Sequence, residues 1–438
     1  FPAGTYVVDL VQPAARLART LLDPTVDFTE PLVEVPYDRR MPYYDAPWGN
    51  LPFLFGVEAW AGAGPSPAGE AVTAAPEAAG GVQGLDRPEP PYAWVLRPGS
   101  EAARRVAVRL VRDGYRLRVF RSGFRLDGGA FPKGTMTFLR GRNPEGLQAR
   151  IGDLAAEEGA RVVAVAGPFT EAGLTFGDDE RVAPVPEPRI AVVADWPVTQ
   201  DHTFGGIRST LEGDFGVPFS PVMLETLEEG DLSRYTTVVL PHAGMSVRGG
   251  PNFNPGYRGR LDLDNLRAWV RAGGTLVAVQ GAAEFVAADP VLGVGLTVEG
   301  WAERTEATAL GEFETAATPG GELVPWRPGL DETGPHLLAA GYARPEFAAP
   351  ASFPVLMRLD EGSRARVVAR YATDADRILL DGFMMAEDRP VLAGRPFLVV
   401  SPVGRGRVIA FAEDPTFRGA WYGMNLLFLN AIIFGPVL

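Results

Sequence analysis

No cysteine occurs in this 438-residue chain, which excludes disulfides, thiolate-bound metals and any thiol nucleophile. Histidine is almost as scarce. His202, His242 and His336 are the only three, and none stands in the HxxE or HExxH spacing that sets zinc ligands on one helix face. No GxSxG is present, so the sequence carries no serine elbow. No apolar run reaches the roughly 18 residues of a membrane span. Lysine is nearly absent too: Lys133 is the only one, and all other basic residues are arginine, a skew most simply genomic. The net charge of −13 argues against nucleic acid as a partner, because phosphate binding needs a basic surface.

What is present is an ordinary globular composition, 46% hydrophobic and 22% charged, long enough for several full-sized cores. Residues 1–60 predict a strand (Thr5–Leu10), a helix (Pro13–Leu22) and an aromatic-rich tail. Residues 61–91, nearly all Ala, Gly, Pro, Glu and Ser, cannot bury a core and read as a linker or exposed loop. A small α/β unit is expected over 92–183, with Ser100 capping a helix that Gly114 stops. Phe131-Pro132-Lys133-Gly134-Thr135 repeats the opening Phe1-Pro2-Ala3-Gly4-Thr5, which suggests related strand–turn–helix units. Opening on a strand at Phe1 is what a cleaved product or a fragment of a longer precursor would look like.

Three prolines in Pro184-Val185-Pro186-Glu187-Pro188 mark a joint. Beyond it, residues 189–438 alternate apolar strands (Arg189–Ala194, Thr237–Leu240, Thr275–Val279, Arg407–Phe411) with helices (Thr203–Glu212, Leu261–Ala272, Trp421–Phe434). That alternation predicts a doubly wound, flavodoxin-like α/β domain whose ligands bind at the strands' C-terminal ends. Residues 296 to about 400 read as a β-rich insertion that interrupts it.

The most informative stretch is Gly273-Gly274-Thr275-Leu276-Val277-Ala278-Val279-Gln280-Gly281-Ala282-Ala283, a buried strand turning sharply into a helix. In α/β hydrolases and class I glutamine amidotransferases such an elbow presents a Ser or Cys nucleophile. Here the corner carries Gln280 and Gly281, and an amide cannot attack a carbonyl. If the strand-end pocket were catalytic, the candidates would be His242 and Asp195 at strand ends and Glu413 after Arg407–Phe411. For binding, the candidates are Gln280, Gly281 and His242. Other polar groups have plainer readings. Asp201 beside His202 fits a helix start, His336 and Ser246 fit loops, and Asp262, Asp264 and Asn265 fit a helix start rather than a calcium loop. Gly404-Arg405-Gly406-Arg407, between two β-like runs, fits a hairpin turn rather than a phosphate-binding loop.

Several blocks together resemble the C-terminal region of large bacterial zinc carboxypeptidase-like proteins of the carboxypeptidase A type. They are Phe1–Val8, Tyr44-Asp45-Ala46-Pro47-Trp48-Gly49-Asn50-Leu51-Pro52 and Gly404–Pro436, the last with Asp414-Pro415-Thr416-Phe417-Arg418-Gly419 and Leu427-Phe428-Leu429-Asn430-Ala431. The resemblance implies a class I amidotransferase-like domain following a peptidase domain, and an extracellular or periplasmic location. The zinc ligands and catalytic Glu of that family belong to the peptidase domain, which has no counterpart here, so no catalytic or metal residue carries over and no cofactor is expected. The reading that follows is a non-catalytic accessory, binding or self-assembly module whose partners are the missing peptidase portion or further copies of itself. The alternative is a hydrolase, or a peptide- or glycan-binding protein, using the strand-end pocket.

Overall fold

Short buried apolar runs alternate with helix-forming stretches, and this alternation builds two sheets that share one apolar core. The computed structural model describes residues 5–23, 50–67, 69–72, 80–85, 91–198, 203–243, 256–259, 261–293, 295–300, 317–325, 335–350, 354–382, 384, 386 and 388–438. Helix α1 (Ala15–Leu22) begins two residues later than the sequence predicts, and Thr5–Leu10 form no strand. Tyr6 and Val7 there are largely exposed, and the segment joins none of the described sheets, which a strand needs to do. Helix α2 (Leu51–Phe55) ends on Gly56 in the left-handed region (φ 63°).

The first sheet is made of β1 (Gly81–Gln83), β2 (Ala93–Leu96), β3 (Arg118–Phe120), β6 (Met136–Leu139), β7 (Arg161–Val165) and β9 (Val182–Pro184), in the order β1-β7-β2-β6-β3-β9. Only β1–β7 is parallel; the rest are antiparallel neighbours. Side chains alternate across the strands. Trp94, Leu96, Met136, Phe138, Val162 and Ala164 face α3 (Glu101–Arg112) and α4 (Leu147–Glu158). Ala93, Val95, Phe120, Leu139 and Val165 face a second, aromatic core capped by a small sheet of β4 (Phe124–Leu126), β5 (Gly129–Phe131) and β8 (Ala172–Gly173). Helix α3 starts as expected, with Ser100 Oγ accepting from the Ala103 amide at 3.2 Å, and the chain turns beyond its end at Gly114 (φ 88°). The proposed repeat is only partly visible. Strand–helix units run through β2–α3 and β6–α4, but β2 and β6 are antiparallel, and the matching residues 1–4 lie outside the described ones.

The second sheet is the doubly wound one. Its parallel part contains β10 (Ile190–Val193), β11 (Ser220–Val222), β12 (Thr237–Leu240), β13 (Thr275–Val279) and β21 (Gly406–Phe411), ordered β11-β10-β12-β13-β21. Counting strands as the chain makes them, this is the flavodoxin order 2-1-3-4-5. The connecting helices include α5 (Gly205–Arg208), α6 (Leu224–Glu229), α7 (Asp264–Arg271) and α8 (Gly281–Ala287). The helix expected over Thr203–Glu212 is α5 running straight into a π-helical turn, Ser209–Asp214.

The β-rich stretch, with the short helix α9 (Arg389–Leu392), is inserted in the chain between α8 and β21 as expected, and most of its strands extend this sheet. Strands β15 (Ala317–Leu323), β16 (Glu346–Ala348), β18 (Arg366–Tyr371) and β20 (Pro396–Val403) continue antiparallel beyond β21, with β19 (Leu379–Gly382) also pairing β15. Gly404-Arg405 is the two-residue link between β20 and β21. Strands β14 (Leu296–Gly300) and β17 (Val355–Leu359) form a separate pair.

The last helix, α10 (Tyr422–Phe434), is apolar on every side and almost wholly buried, as such a helix must be. Its buried donors are paired: Asn430 Nδ2 donates to the Leu338 and Ala340 carbonyls at 2.8 and 2.9 Å, and the indole of Trp421, just before it, donates to Ala348 O at 2.9 Å. Arg104 of α3 is buried against it, its guanidinium 4.9 Å from the Phe434 ring. No described helix is long and apolar enough to cross a membrane.

Candidate functional site

Strand β13 is buried throughout, as expected of a parallel strand covered on both faces. It ends at Val279, and Gln280 turns the chain with φ 49° and ψ −115°. Positive φ is costly for a residue with a Cβ, so the strand-to-helix corner is strained as a nucleophile elbow is. Three hydrogen bonds hold the backbone there. The Gln280 amide donates to Phe411 O at 2.9 Å, tying the corner to the end of β21. The Gln280 carbonyl accepts from Ala283 and Glu284 at 2.7 and 3.2 Å, opening α8.

The side chains close on one another. Gln280 Nε2 donates to Glu413 Oε2 at 2.8 Å, and Glu413, in the loop after β21, is fully buried. The Gly281 amide donates to Nδ1 of His242 at 3.1 Å. To accept there, Nδ1 must be the unprotonated ring nitrogen. His242 follows Pro241, whose carbonyl accepts from the buried Tyr257 hydroxyl at 2.9 Å. A Cβ at position 281 would meet Ala243 O at 2.6 Å, which explains glycine there. Tyr371 of β18 is buried nearby. Burial pushes its hydroxyl well above the usual phenol range, and the Glu413 charge pushes it further; that hydroxyl has no hydrogen-bond partner among the described residues.

Four of the five sequence candidates, His242, Gln280, Gly281 and Glu413, therefore meet at the C-terminal ends of β12, β13 and β21. Asp195 stands apart. It follows β10, two strands from β13, and its carboxylate accepts from the Trp196 amide at 2.8 Å. Its position is the point where strand order reverses, the usual ligand crevice of such sheets. His202, Asp201 and Ser246 lie outside the described residues.

Chemically, this corner has its reactive positions filled. In an elbow enzyme the residue at the turn attacks, and the amide of the next residue stabilises the oxyanion. Here the turn residue is an amide bonded to a carboxylate, and the following amide is bonded to an imidazole. No cluster of three or more His, Asp or Glu that could hold a metal occurs among the described residues. His336 Nδ1 accepts from the Leu338 amide and caps a short 3₁₀ turn. Asp262 accepts from the Asp264 amide, Asp264 pairs with Arg267, and Asn265 donates to the Leu227 and Gly230 carbonyls, so these three organise the start of α7. Nothing in the local sequence points to Tyr371. It reaches Glu413 only through the register of strands added beyond β21, a long-range relation with no local signature.

No protein-family model matches the chain, and no curated protein does. Among solved structures, a β-galactosidase from Bacillus circulans sp. alkalophilus is 14% identical over 71% of this chain, with a TM-score of 0.32, and the chain spans only 39% of that protein. A putative ThuA-like protein from Bacteroides uniformis ATCC 8492 is 13% identical over 56% of this chain and 90% of its own, with a TM-score of 0.32. A second ThuA-like protein, from Parabacteroides merdae ATCC 43184, is 13% identical over 57% and 89%, with a TM-score of 0.33. Likenesses this slight carry no argument about activity.

Proposed function

We propose that this chain is a non-catalytic module that binds or assembles rather than turning over a substrate at its elbow. The observation that carries the reading is the pairing at the corner: Gln280 is committed to Glu413 and the Gly281 amide to His242. A nucleophile and a free oxyanion donor are the two things an elbow enzyme requires; here an amide side chain held by Glu413 stands at the first position, and the N–H at the second is taken by His242. On the sequence resemblance, we further propose that the module derives from an exported zinc carboxypeptidase-like precursor. Its partners are then the peptidase portion of that precursor or further copies of the chain.

The test is hydrolysis by the purified chain. Ammonia release from glutamine, ester cleavage and release of a C-terminal amino acid from peptides are measured with and without added zinc. The expected result is no turnover above buffer in any assay. Activity that disappears in Gln280→Ala or His242→Ala would overturn the elbow reading. Zinc-dependent carboxypeptidase activity of the chain alone would overturn the proposed descent of roles. Light scattering of the concentrated protein checks self-association separately.

A further inference from the structure

We propose that a cavity between α2, the start of α10 and the outer strands β15 and β16 is a binding site for a neutral saccharide. It shares no residue with the elbow, so it stands or falls apart from the reading above. Its volume is about 470 Å³, within the range of small-molecule sites.

The wall is built rather than incidental. Gly56 ends α2 and Gly423 lies in the first turn of α10, and their backbones touch: a Cβ on Gly56 would stand 3.1 Å from Gly423 Cα. That contact holds α2 against α10 and sets the Phe55 ring on Tyr422, with centroids 5.0 Å apart and planes 13° off parallel. Phe55 is 52% exposed, so the pair presents an aromatic face at the cavity's rim.

Charge decides the ligand class. Six ionic side chains line the cavity, and each already has an opposite partner. Glu58 pairs with Arg344, and Arg377 bridges Glu346 at 2.7 Å and Glu322 at 3.6 Å. Glu101 faces Arg105, outside the cavity, at 3.8 Å. An anion would face four carboxylates against two guanidiniums that are already engaged, and a cation would compete with those guanidiniums for the carboxylates. Paired carboxylates and guanidiniums still have spare lone pairs and N–H groups, in planar arrays suited to hydroxyls. Aromatic rings beside such arrays match a ring that is apolar on its C–H face and hydroxylated at its edge. A neutral sugar has both features.

The test is calorimetric titration of the full chain with maltose, cellobiose, lactose and N,N′-diacetylchitobiose, with spermidine and inorganic phosphate as ionic comparators. At least one disaccharide should bind with a Kd of about 1 mM or tighter. Phe55→Ala and Arg377→Gln should each weaken that binding at least about tenfold, while Gln280→Ala binds as the parent does. The melting temperatures of the two cavity variants should stay near the parent's, because Phe55 and Arg377 are half exposed. The proposal is overturned if no disaccharide binds, if spermidine or phosphate binds the cavity instead, or if disaccharide binding survives both cavity variants.

Discussion

Gln280 donates an Nε2 hydrogen bond of 2.8 Å to Glu413 Oε2, joining the end of β13 to the loop after β21 across 133 residues of sequence. Both side chains are buried, so the bond is made where water cannot replace it. Removing one partner of a buried bond to a charged group costs about 1–3 kcal/mol. Gln280→Ala should therefore lower the unfolding free energy by that much, read as a lower urea midpoint at an unchanged denaturant slope. Gln280→Glu should be worse at neutral pH, because two carboxylates then share a buried site and one must take up a proton. Its deficit should shrink on acidification from pH 8 to pH 5, read by the same titration at each pH.

Gly281→Ala sets two effects against each other. Alanine is favoured over glycine inside a helix by about 1 kcal/mol. The added Cβ, however, meets the Ala243 carbonyl at 2.6 Å and His242 Nδ1 at 3.1 Å, and a backbone oxygen cannot swing aside. The clash should win, with a net loss of about 2 kcal/mol visible as a fall in melting temperature.

His336 supplies the chain's clearest pH dependence. Burial, and behind it the charges of Lys133 and Arg366, lowers its imidazole from 6.5 to about 4. The unfolded chain therefore binds more protons than the folded one between those values, and stability rises with pH across that window. Seen the other way, it is progressively lost as pH falls from 6.5 toward 4, by on the order of 2–3 kcal/mol. His336→Asn keeps an acceptor for the Leu338 amide without a titrating ring. Its stability should be flatter over the same range.

Arg104 is buried, and no ion pair holds it among the described residues. Its Nε and Nη2 donate to the Pro98 and Ala340 carbonyls, and Nη1 has no partner among the described residues. Burial weakens its hold on the proton, although a guanidinium remains charged at physiological pH. Ala340 O keeps a second donor in Asn430, so losing the arginine does not orphan it. Arg104→Met should therefore cost under about 1 kcal/mol, and Arg104→Ala, which leaves a cavity, about 2–4 kcal/mol. Chemical denaturation of the two variants separates volume from charge.

Much of this was legible in the sequence, for local reasons. The apolar run Thr275–Val279 and the glycines around it identify β13 and its corner without reference to any other residue. Ser100, Gly114 and Gly404 mark a cap, a stop and a turn through their own backbone preferences. His242 and Glu413 were singled out because they follow strands, and parallel order brings strand ends together. What failed was non-local. Thr5–Leu10 has a strand's composition but joins no described sheet, and residues 296–400, recognisable as a β-rich insertion, carry no local sign of which sheet their strands join. The helix ending in Asp214 carries a π turn that spacing alone cannot reveal. The cavity walled by α2 and α10 depends on two glycines 367 residues apart, Gly56 and Gly423, touching.

A double-mutant cycle on Gln280 and Glu413 tests most directly whether the corner is a structural lock. Gln280→Ala, Glu413→Ala and the double variant are unfolded in urea and compared with the parent. A lock predicts that the double variant loses less than the sum of the singles, with a coupling of about 1–3 kcal/mol. Additive losses, within about 0.3–0.5 kcal/mol, would mean that the two residues do not hold each other and that the corner is kept for something else.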